Sequence, residues 1–229
     1  HLSIRRQRQM CIRDSIRIMK KLTALLVGAL LLPVVVFAAQ FEEGKHYEVV
    51  SEQATAKPEV KEFFSFYCPA CFAYEPKVQA LAKQLPTGVE LKKVHVDFLQ
   101  HASPEIQATL AKAYLVAKNL GKGDQVASAF FNHVHVDRKT FANDDDIKAV
   151  VVAQGVDADT YDKAIKSFTV AGGAKQMKKE QDALSGRRVL TGVPTFIVNG
   201  KYKILNQGLS RENQDEEFKQ LVNFLLTQS

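Results

Sequence analysis

Two of the three cysteines, Cys68 and Cys71, are separated by Pro69 and Ala70. Thiols at this spacing can form a disulfide and exchange it with the thiols of other molecules. As a structural cross-link the bridge would close almost no loop, and a short closed loop adds little stability. The Cys-x-x-Cys motif is therefore better explained by redox chemistry than by a structural role.

A metal site is another use of paired cysteines. Half of a zinc site requires a second pair of ligands. The histidines that could provide it, His95, His133 and His135, do not stand at a recognisable ligand spacing. His133 and His135 are more typical of a helix surface, and His95 is more typical of a structural residue in a strand. We therefore expect no metal at the motif.

The residues around the motif predict a strand that leads into a helix. Residues 60–67 (VKEFFSFY) form an aromatic-rich run that is typical of a buried strand. Pro69 is favoured in the first turn of a helix, and apolar residues continue at roughly helical spacing as far as Leu85. We therefore predict that Cys68 lies at the N-terminus of a helix and Cys71 one turn inside it.

This position has a chemical consequence for Cys68. The unpaired N–H groups and the positive end of the helix dipole face the first sulfur and favour its thiolate. The pKa of Cys68 should then fall below the value of about 8.5 that a free cysteine has. A stabilised thiolate stabilises the dithiol form, so the disulfide becomes a stronger oxidant.

The rest of the chain predicts a small α/β domain that a block of helices interrupts. Residues 89–98 indicate a second strand, and residues 100–177 are dominated by Ala-rich amphipathic stretches. Asn199 and Gly200 are typical of a two-residue hairpin turn, and apolar residues in 211–227 recur at helical spacing. The expected division is an α/β domain, residues 39–99 and 178–229, and an all-helical insertion, residues 100–177.

The first 38 residues have a different character. Met19, Lys20 and Lys21 precede an uncharged apolar stretch that ends at Ala38, which is the pattern of a secretory signal peptide over residues 19–38. Residues 1–18 do not fit this plan, and we interpret them as sequence translated from upstream of a start at Met19. The expected location is therefore an exported, oxidising compartment, where cysteines form disulfides readily.

The net charge of +6 comes from this leader. Residues 1–38 carry seven of the 31 basic residues and one of the 25 acidic residues, which leaves 24 of each sign in the remaining chain. Residues 39–229 therefore have no net charge, and they lack the excess of positive charge that binding a polyanion requires. We therefore expect no nucleic-acid partner.

Three segments carry a specific resemblance. FFSFYCPAC, HVDF and GVPTFIVNGKY are similar to motifs of the DsbA family of bacterial periplasmic thiol-disulfide oxidoreductases, and the likeness covers nearly all of residues 39–229. The resemblance implies an α/β, thioredoxin-like fold with an inserted all-helical domain. It also implies a periplasmic location, unfolded exported proteins as substrates, reoxidation by a DsbB-type membrane oxidase and no bound cofactor. A monomer is the default expectation.

The resemblance also assigns roles to individual residues. Cys68 matches the nucleophilic, solvent-facing cysteine, and Cys71 matches the buried one. Pro194 matches a cis-proline beside the disulfide, which would leave the backbone of Val193 free to pair with an extended substrate. Three further residues match charged groups that the family places behind the active site: Glu62, Glu75 and Lys93.

Two readings of these charged residues stay open. Glu62 could exchange a proton with Cys71 and pair with Lys93, because a buried carboxylate has a raised pKa. It could equally be an ordinary surface carboxylate at a strand edge. Glu75 is more typical of a charge on a helix surface near the active face.

Ala70 is a departure from the family, whose commonest dipeptide between the cysteines is Pro-His. A histidine at this position can donate a hydrogen bond to the Cys68 thiolate or stabilise it by its charge, and alanine cannot. We therefore predict that the pKa of Cys68 is higher than in a Pro-His relative, and that this disulfide is a weaker oxidant.

The function that these observations predict is donation of the Cys68–Cys71 disulfide to exported, folding proteins. A disulfide reductase or isomerase would use the same chemistry, although isomerases usually have a dimerisation module and residues 39–60 are too short for one. A periplasmic peptide-binding chaperone with incidental cysteines is a third alternative.

Overall fold

The computed structural model describes residues 41–228, which combine a five-stranded sheet with seven helices. The strands are β1 (Tyr47–Val49), β2 (Glu59–Phe64), β3 (Glu90–His95), β4 (Thr195–Val198) and β5 (Tyr202–Ile204). The helices are α1 (Pro69–Ala82), α2 (Pro104–Asn119), α3 (Gly123–His135), α4 (Asp144–Ala153), α5 (Ala158–Ala164), α6 (Phe168–Gly186) and α7 (Gln214–Leu226). From β2 onward, the predicted order of strand, cysteine helix, strand, helical block, hairpin and helix is confirmed, and β1, which precedes it, was not predicted.

The sheet places the end of β2 beside its neighbours. The strand order is β1-β5-β4-β2-β3, with β2 parallel to β3 and antiparallel to β4. This register sets Glu62 opposite Lys93 on one side and opposite Phe196 on the other. Because α1 is the crossover between the parallel strands β2 and β3, the Cys-x-x-Cys motif lies at the C-terminal end of this pair.

Strand β2 is shorter than the predicted run of residues 60–67. It ends at Phe64 because the chain then turns: the Cys68 N–H donates to the Ser65 carbonyl at 3.0 Å, and the Tyr67 N–H donates to Ser65 Oγ at 3.2 Å. The aromatic residues after Phe64 are buried, so hydrophobicity alone extended the predicted strand too far. We call residues 65–68 the active-site turn.

The hairpin between β4 and β5 confirms its sequence signal. Asn199 and Gly200 have positive φ angles of 53° and 63°, which a two-residue turn of this kind requires. The Asn199 side chain accepts a hydrogen bond from the Glu59 N–H at 3.2 Å and donates to the Leu225 carbonyl at 3.5 Å. The turn is therefore tied to both β2 and α7.

Two hydrophobic clusters hold the elements together. The larger one joins the sheet to the inserted helices, and five of its phenylalanines have no exposed surface: Phe63, Phe64, Phe66, Phe130 and Phe131. The smaller one packs α1 and α7 on the sheet and includes the four buried apolar residues of α7, Phe218, Leu221, Val222 and Leu225. Burial of these four residues confirms the helical spacing seen in the sequence.

Helix α6 crosses the expected domain boundary at residue 177 without a break. Beyond that point the Gln181 side chain accepts a hydrogen bond from the Asp97 N–H at 2.8 Å and donates to Asp97 Oδ1 at 2.7 Å. One helix therefore runs from the helical block onto the end of β3. The division into residues 39–99 with 178–229 and residues 100–177 stays a prediction, with α6 shared between the two parts.

The interpretations of residues 1–18 and 19–38 concern a segment outside the described residues. Within residues 41–228, no helix combines the length and the apolar character that crossing a membrane requires.

Candidate active site

The Cys-x-x-Cys motif lies where the active-site turn enters α1. Cys68 is the N-cap residue of α1, with an extended backbone at φ −94° and ψ 113°. Its Sγ atom accepts a hydrogen bond from the Cys71 N–H at 3.1 Å. Pro69 follows in the first turn, where its missing N–H leaves no group unsatisfied. The predicted position of Cys68 at the helix start, with Cys71 one turn inside, is confirmed.

The donors around Cys68 favour its thiolate. The Cys71 thiol donates to the Cys68 sulfur, as do the backbone N–H groups of Cys71 and Ala70, and together they lower the pKa of Cys68 to about 7. Burial of the sulfur and the negative charge of Glu62 act in the opposite direction. The hydrogen bonds outweigh them, so about half of Cys68 is ionised near neutral pH.

Cys71 has the opposite environment. It has no exposed surface, and its burial and the neighbouring Cys68 sulfur raise the pKa of its thiol far above the ordinary value. Both cysteines are free thiols, so the structure is that of the reduced protein. The expectation of a solvent-facing Cys68 needs correction, because Cys68 is only 6% exposed. Its sulfur is turned back toward the Cys71 amide and the loop that contains Val193.

The Val193–Pro194 peptide bond is cis, as the resemblance implied. The Cys68 thiol donates to the Val193 carbonyl at 3.4 Å, so this loop lies directly against the sulfur. Within residues 41–228, no backbone or side-chain group accepts a hydrogen bond from the Val193 N–H. This donor is available to the backbone of an extended peptide placed beside Cys68.

Three charged side chains form a buried cluster behind the cysteines. Glu62 has no exposed surface, and Glu75 and Lys93 are 4% and 7% exposed. The Lys93 ammonium pairs with the Glu75 carboxylate and lies 3.3 Å from Glu62 Oε2. The expectation of Glu75 on a helix surface is therefore wrong. Helix α1 turns this carboxylate toward β3, where Lys93 compensates the cost of burying it.

Glu62 is the member of the cluster that burial brings closest to losing its charge by taking up a proton. Its burial raises its pKa to about 7, and the positive charge of Lys93 only partly opposes this effect. Although Lys93 is close, neither carboxylate oxygen of Glu62 has a hydrogen bond of good geometry among the described residues. Glu62 can therefore gain or lose a proton near neutral pH, and its negative charge raises the pKa of Cys71.

Two histidines at the active-site turn were not identified as site residues from the sequence. The Phe66 N–H donates to Nε2 of His95 at 3.2 Å, and the Phe66 carbonyl lies 2.9 Å from Nε2 of His135. The expectation of His135 as a surface residue is wrong, because its ring is half-buried and stacks on Phe72. No local pattern marks this contact, since it joins residues 69 positions apart.

The described residues can also be searched for a metal site. Between residues 41 and 228 there is no group of three or more His, Cys, Asp or Glu side chains that could hold a metal ion. His133, the partner of His135 in the sequence pattern, instead stacks on Phe141, with ring centroids 4.3 Å apart.

Comparisons with known proteins identify the family. Residues 59–218 match the family profile described as DSBA-like thioredoxin domain. The thiol:disulfide interchange protein DsbA of Pectobacterium carotovorum subsp. carotovorum is 38% identical over 215 residues, which cover 91% of this chain and 99% of the relative. The protein of the same name from Escherichia coli K12 is 34% identical over 213 residues, which cover 90% and 98% of the two chains.

Solved structures give the same result for the fold. The DsbA of Proteus mirabilis, in complex with a non-covalently bound peptide, superposes with a TM-score of 0.71 at 32% identity and covers 82% of this chain and 99% of its own. The DsbA of Pseudomonas aeruginosa superposes with a TM-score of 0.67 at 27% identity, covering 82% and 94%. The chain therefore belongs to the DSBA-like thioredoxin domain family and is a thiol:disulfide oxidoreductase with a thioredoxin-like fold and inserted helices.

Proposed function

We propose that this protein donates its Cys68–Cys71 disulfide to exported proteins as they fold. The observation that carries the proposal is the contrast between the two sulfurs. Hydrogen bonds at the start of α1 lower the pKa of Cys68, whereas burial raises the pKa of Cys71. Stabilising Cys68 as a thiolate stabilises the reduced protein, so electrons flow from substrate thiols to this disulfide.

The exchange proceeds in two balanced steps. A substrate thiolate attacks Cys68 Sγ, the Cys68–Cys71 bond breaks, and Cys71 leaves with the bonding electrons and takes up a proton. The substrate's second thiolate then attacks the substrate sulfur of the mixed disulfide, and Cys68 leaves as the stabilised thiolate. The substrate gains a disulfide and loses two electrons, and the protein gains them as its dithiol.

Glu62 supplies the proton in this scheme, and Lys93 lies beside it. Cys71 is fully buried, so its thiolate cannot take a proton from bulk water directly. The carboxyl group of Glu62 has a pKa of about 7 and interacts electrostatically with Cys71. Lys93, which also pairs with Glu75, lowers the free-energy cost of burying the negatively charged form of Glu62.

Substrate recognition is through the backbone beside Cys68. An extended peptide can pair with the free N–H of Val193, and the cis bond to Pro194 holds that group next to the sulfur. Pairing through the backbone does not depend on the side chains of the substrate, so it suits unfolded polypeptides of varied sequence. The Proteus mirabilis relative was solved with a non-covalently bound peptide, which supports a peptide as the substrate.

The family and the leader support a proposal for the cellular setting. We place the protein in the periplasm, with residues 19–38 as its signal peptide. A DsbB-type membrane oxidase would remove the two electrons that each turnover leaves on Cys68 and Cys71. The proposal requires no cofactor bound to this chain.

Oxidation of a reduced, unfolded protein by the purified disulfide form tests the proposal. We expect stoichiometric transfer of one disulfide per molecule, and no transfer by Cys68→Ser or Cys71→Ser, because neither variant can form the Cys68–Cys71 disulfide. Equal folding assistance by the Cys68→Ser/Cys71→Ser double variant would support the chaperone alternative instead. An equilibrium with glutathione that lies toward reduction of substrates would support the reductase alternative.

A further inference from the structure

The peptide groups of Phe66 lie in the active-site turn, just after β2 has ended. Phe66 has no exposed surface, and buried N–H and C=O groups require partners. Its N–H donates to Nε2 of His95 at 3.2 Å, and its carbonyl accepts from Nε2 of His135 at 2.9 Å. Two histidines, one from β3 and one from α3, therefore satisfy both backbone groups of one residue.

These hydrogen bonds fix the proton positions on the two rings. His95 accepts at Nε2, so its own proton is on Nδ1, and burial lowers its pKa to about 3, which keeps it neutral. His135 donates at Nε2 in its neutral and its protonated form alike. Both hydrogen bonds to Phe66 therefore persist at the pH values where the protein works.

His135 also contacts the residue that follows the Cys-x-x-Cys motif. Its ring stacks on the ring of Phe72, with centroids 5.1 Å apart and planes at 11°. Phe72 comes directly after Cys71 in α1. One side chain from the end of α3 thus connects the turn before Cys68 with the helix after Cys71.

We propose that His135 is a positioning residue for Cys68, because its hydrogen bond to Phe66 and its stack on Phe72 hold the active-site turn in register with α1. In that register the Cys71 N–H points at Cys68 Sγ, at 3.1 Å. A looser turn would lengthen this bond and weaken the support of the thiolate. The inference rests on the proposed function and deepens it, since it makes the inserted helices part of what sets the oxidising strength.

The turn would remain folded without His135. The Phe66 ring is held by Phe130 and Phe131, each with its ring centroid 5.0 Å away. A substitution of His135 therefore removes the hydrogen bond and the stack while the hydrophobic anchor stays. This makes the effect on Cys68 measurable in a folded protein.

The test compares three substitutions of His135 by titrating the ultraviolet absorbance of the Cys68 thiolate. His135→Ala should raise the pKa of Cys68 by about 0.5 unit, and the equilibrium with glutathione should shift about threefold toward a weaker oxidant. His135→Gln keeps an N–H donor for the Phe66 carbonyl and should restore most of the wild-type value. His135→Phe keeps a ring to stack on Phe72 but leaves the buried Phe66 carbonyl without a donor, so it should restore less of the wild-type value than His135→Gln does.

His133→Ala is the matched control. His133 lies on the same helix and stacks on Phe141, so its loss should lower thermal stability without moving the pKa of Cys68. An unchanged pKa in His135→Ala, an equal shift in His133→Ala, or rescue by Phe rather than Gln would each overturn the proposal. If Cys68 of the wild-type protein titrates as an ordinary cysteine, the proposed function itself has failed. That result is seen in the wild type, so it can be told apart from the three outcomes above, which are seen in the variants.

Discussion

Cys68 and Cys71 stand three positions apart, yet the fold gives them opposite acidities. The first sulfur faces the N–H groups at the start of α1, and the second lies inside the helix with no exposed surface. The asymmetry follows from where the two sulfurs lie: the N-cap sulfur accepts hydrogen bonds that favour its thiolate, and burial disfavours the thiolate of the second sulfur. It determines which sulfur leaves as a thiolate and which one retains the proton.

At position 70 we predict that a histidine would strengthen this asymmetry. Ala70 contributes only its backbone N–H to the Cys68 thiolate. Ala70→His adds a side-chain donor that can also carry positive charge, so the pKa of Cys68 should fall by about 1 unit or more. Thiolate absorbance measured against pH checks the shift. A pKa equal to that of the wild type would contradict the prediction and show that a side chain at position 70 does not set the acidity.

For Glu62 we predict a specific dependence of stability on pH. Its pKa is raised from 4.5 to about 7, so between these values the folded protein binds a proton that the unfolded chain has released. The free energy of unfolding should therefore fall as pH rises through this window, by about 3 kcal/mol at most. Urea unfolding of the reduced protein at several pH values measures it.

Glu62→Gln should remove most of this slope, because glutamine does not titrate. Glu52→Gln, at an exposed position, is the matched control and should leave the slope unchanged. Lys93 keeps its charge throughout the window, since Glu62 and Glu75 outweigh its burial and raise its pKa. An identical slope in wild type and Glu62→Gln would mean that Glu62 does not titrate in this range.

The elements differ in how far local sequence determines them. The hairpin at Asn199 and Gly200, the start of α1 at Cys68 and the apolar face of α7 each have a short-range signal, and each was predicted. The turn after Phe64 was not, because buried aromatic residues continue through it and only the Ser65 hydrogen bonds show where pairing stops. Short-range patterns report periodicity and turn chemistry, not the partners that end a strand.

Asn199 provides a test at the scale of elements. Its side chain binds the Glu59 N–H in β2 and the Leu225 carbonyl in α7, and its φ is positive. Asn199→Ala should lower the free energy of unfolding by about 2 kcal/mol, from lost hydrogen bonds and a strained turn. Asn199→Gly should lose less, since glycine adopts the positive φ freely.

Chemical denaturation gives the stability of both Asn199 variants, and thiolate titration gives the pKa of Cys68 in each. We expect that pKa to stay at the wild-type value, because the hairpin does not contact the active-site turn. A changed pKa would indicate that the sheet transmits strain from the hairpin to the site.

At the scale of the whole molecule, the active site depends on contacts that no local pattern reveals. The burial of Glu75, the partners of Phe66 and the position of His135 all follow from how the inserted helices pack on the sheet. The charged residues were found through the family resemblance, and the cis bond before Pro194 likewise. Composition and spacing alone identified the cysteines, their helix and the order of the elements.

The reduced protein as a whole should become more stable as its thiolate forms. Because the pKa of Cys68 is lowered to about 7, the folded protein releases this proton before the unfolded chain does. Its free energy of unfolding should rise between pH 7 and about 8.5, by about 1 kcal/mol by pH 8. Denaturant unfolding should show this rise for the reduced protein and not for Cys68→Ala. A rise of equal size in that variant would exclude Cys68 as the cause.

The pKa of Cys68 in the reduced wild-type protein tests the central claim most directly. The absorbance of its thiolate, or the rate of its alkylation, can be followed as a function of pH, with Cys68→Ala as the blank. We predict a midpoint near 7, at the value that the hydrogen bonds at the start of α1 impose. A midpoint at or above about 8.5, as for a free cysteine, would contradict the account. The thiolate would then give the reduced protein no extra stability, and the disulfide would not be a strong oxidant.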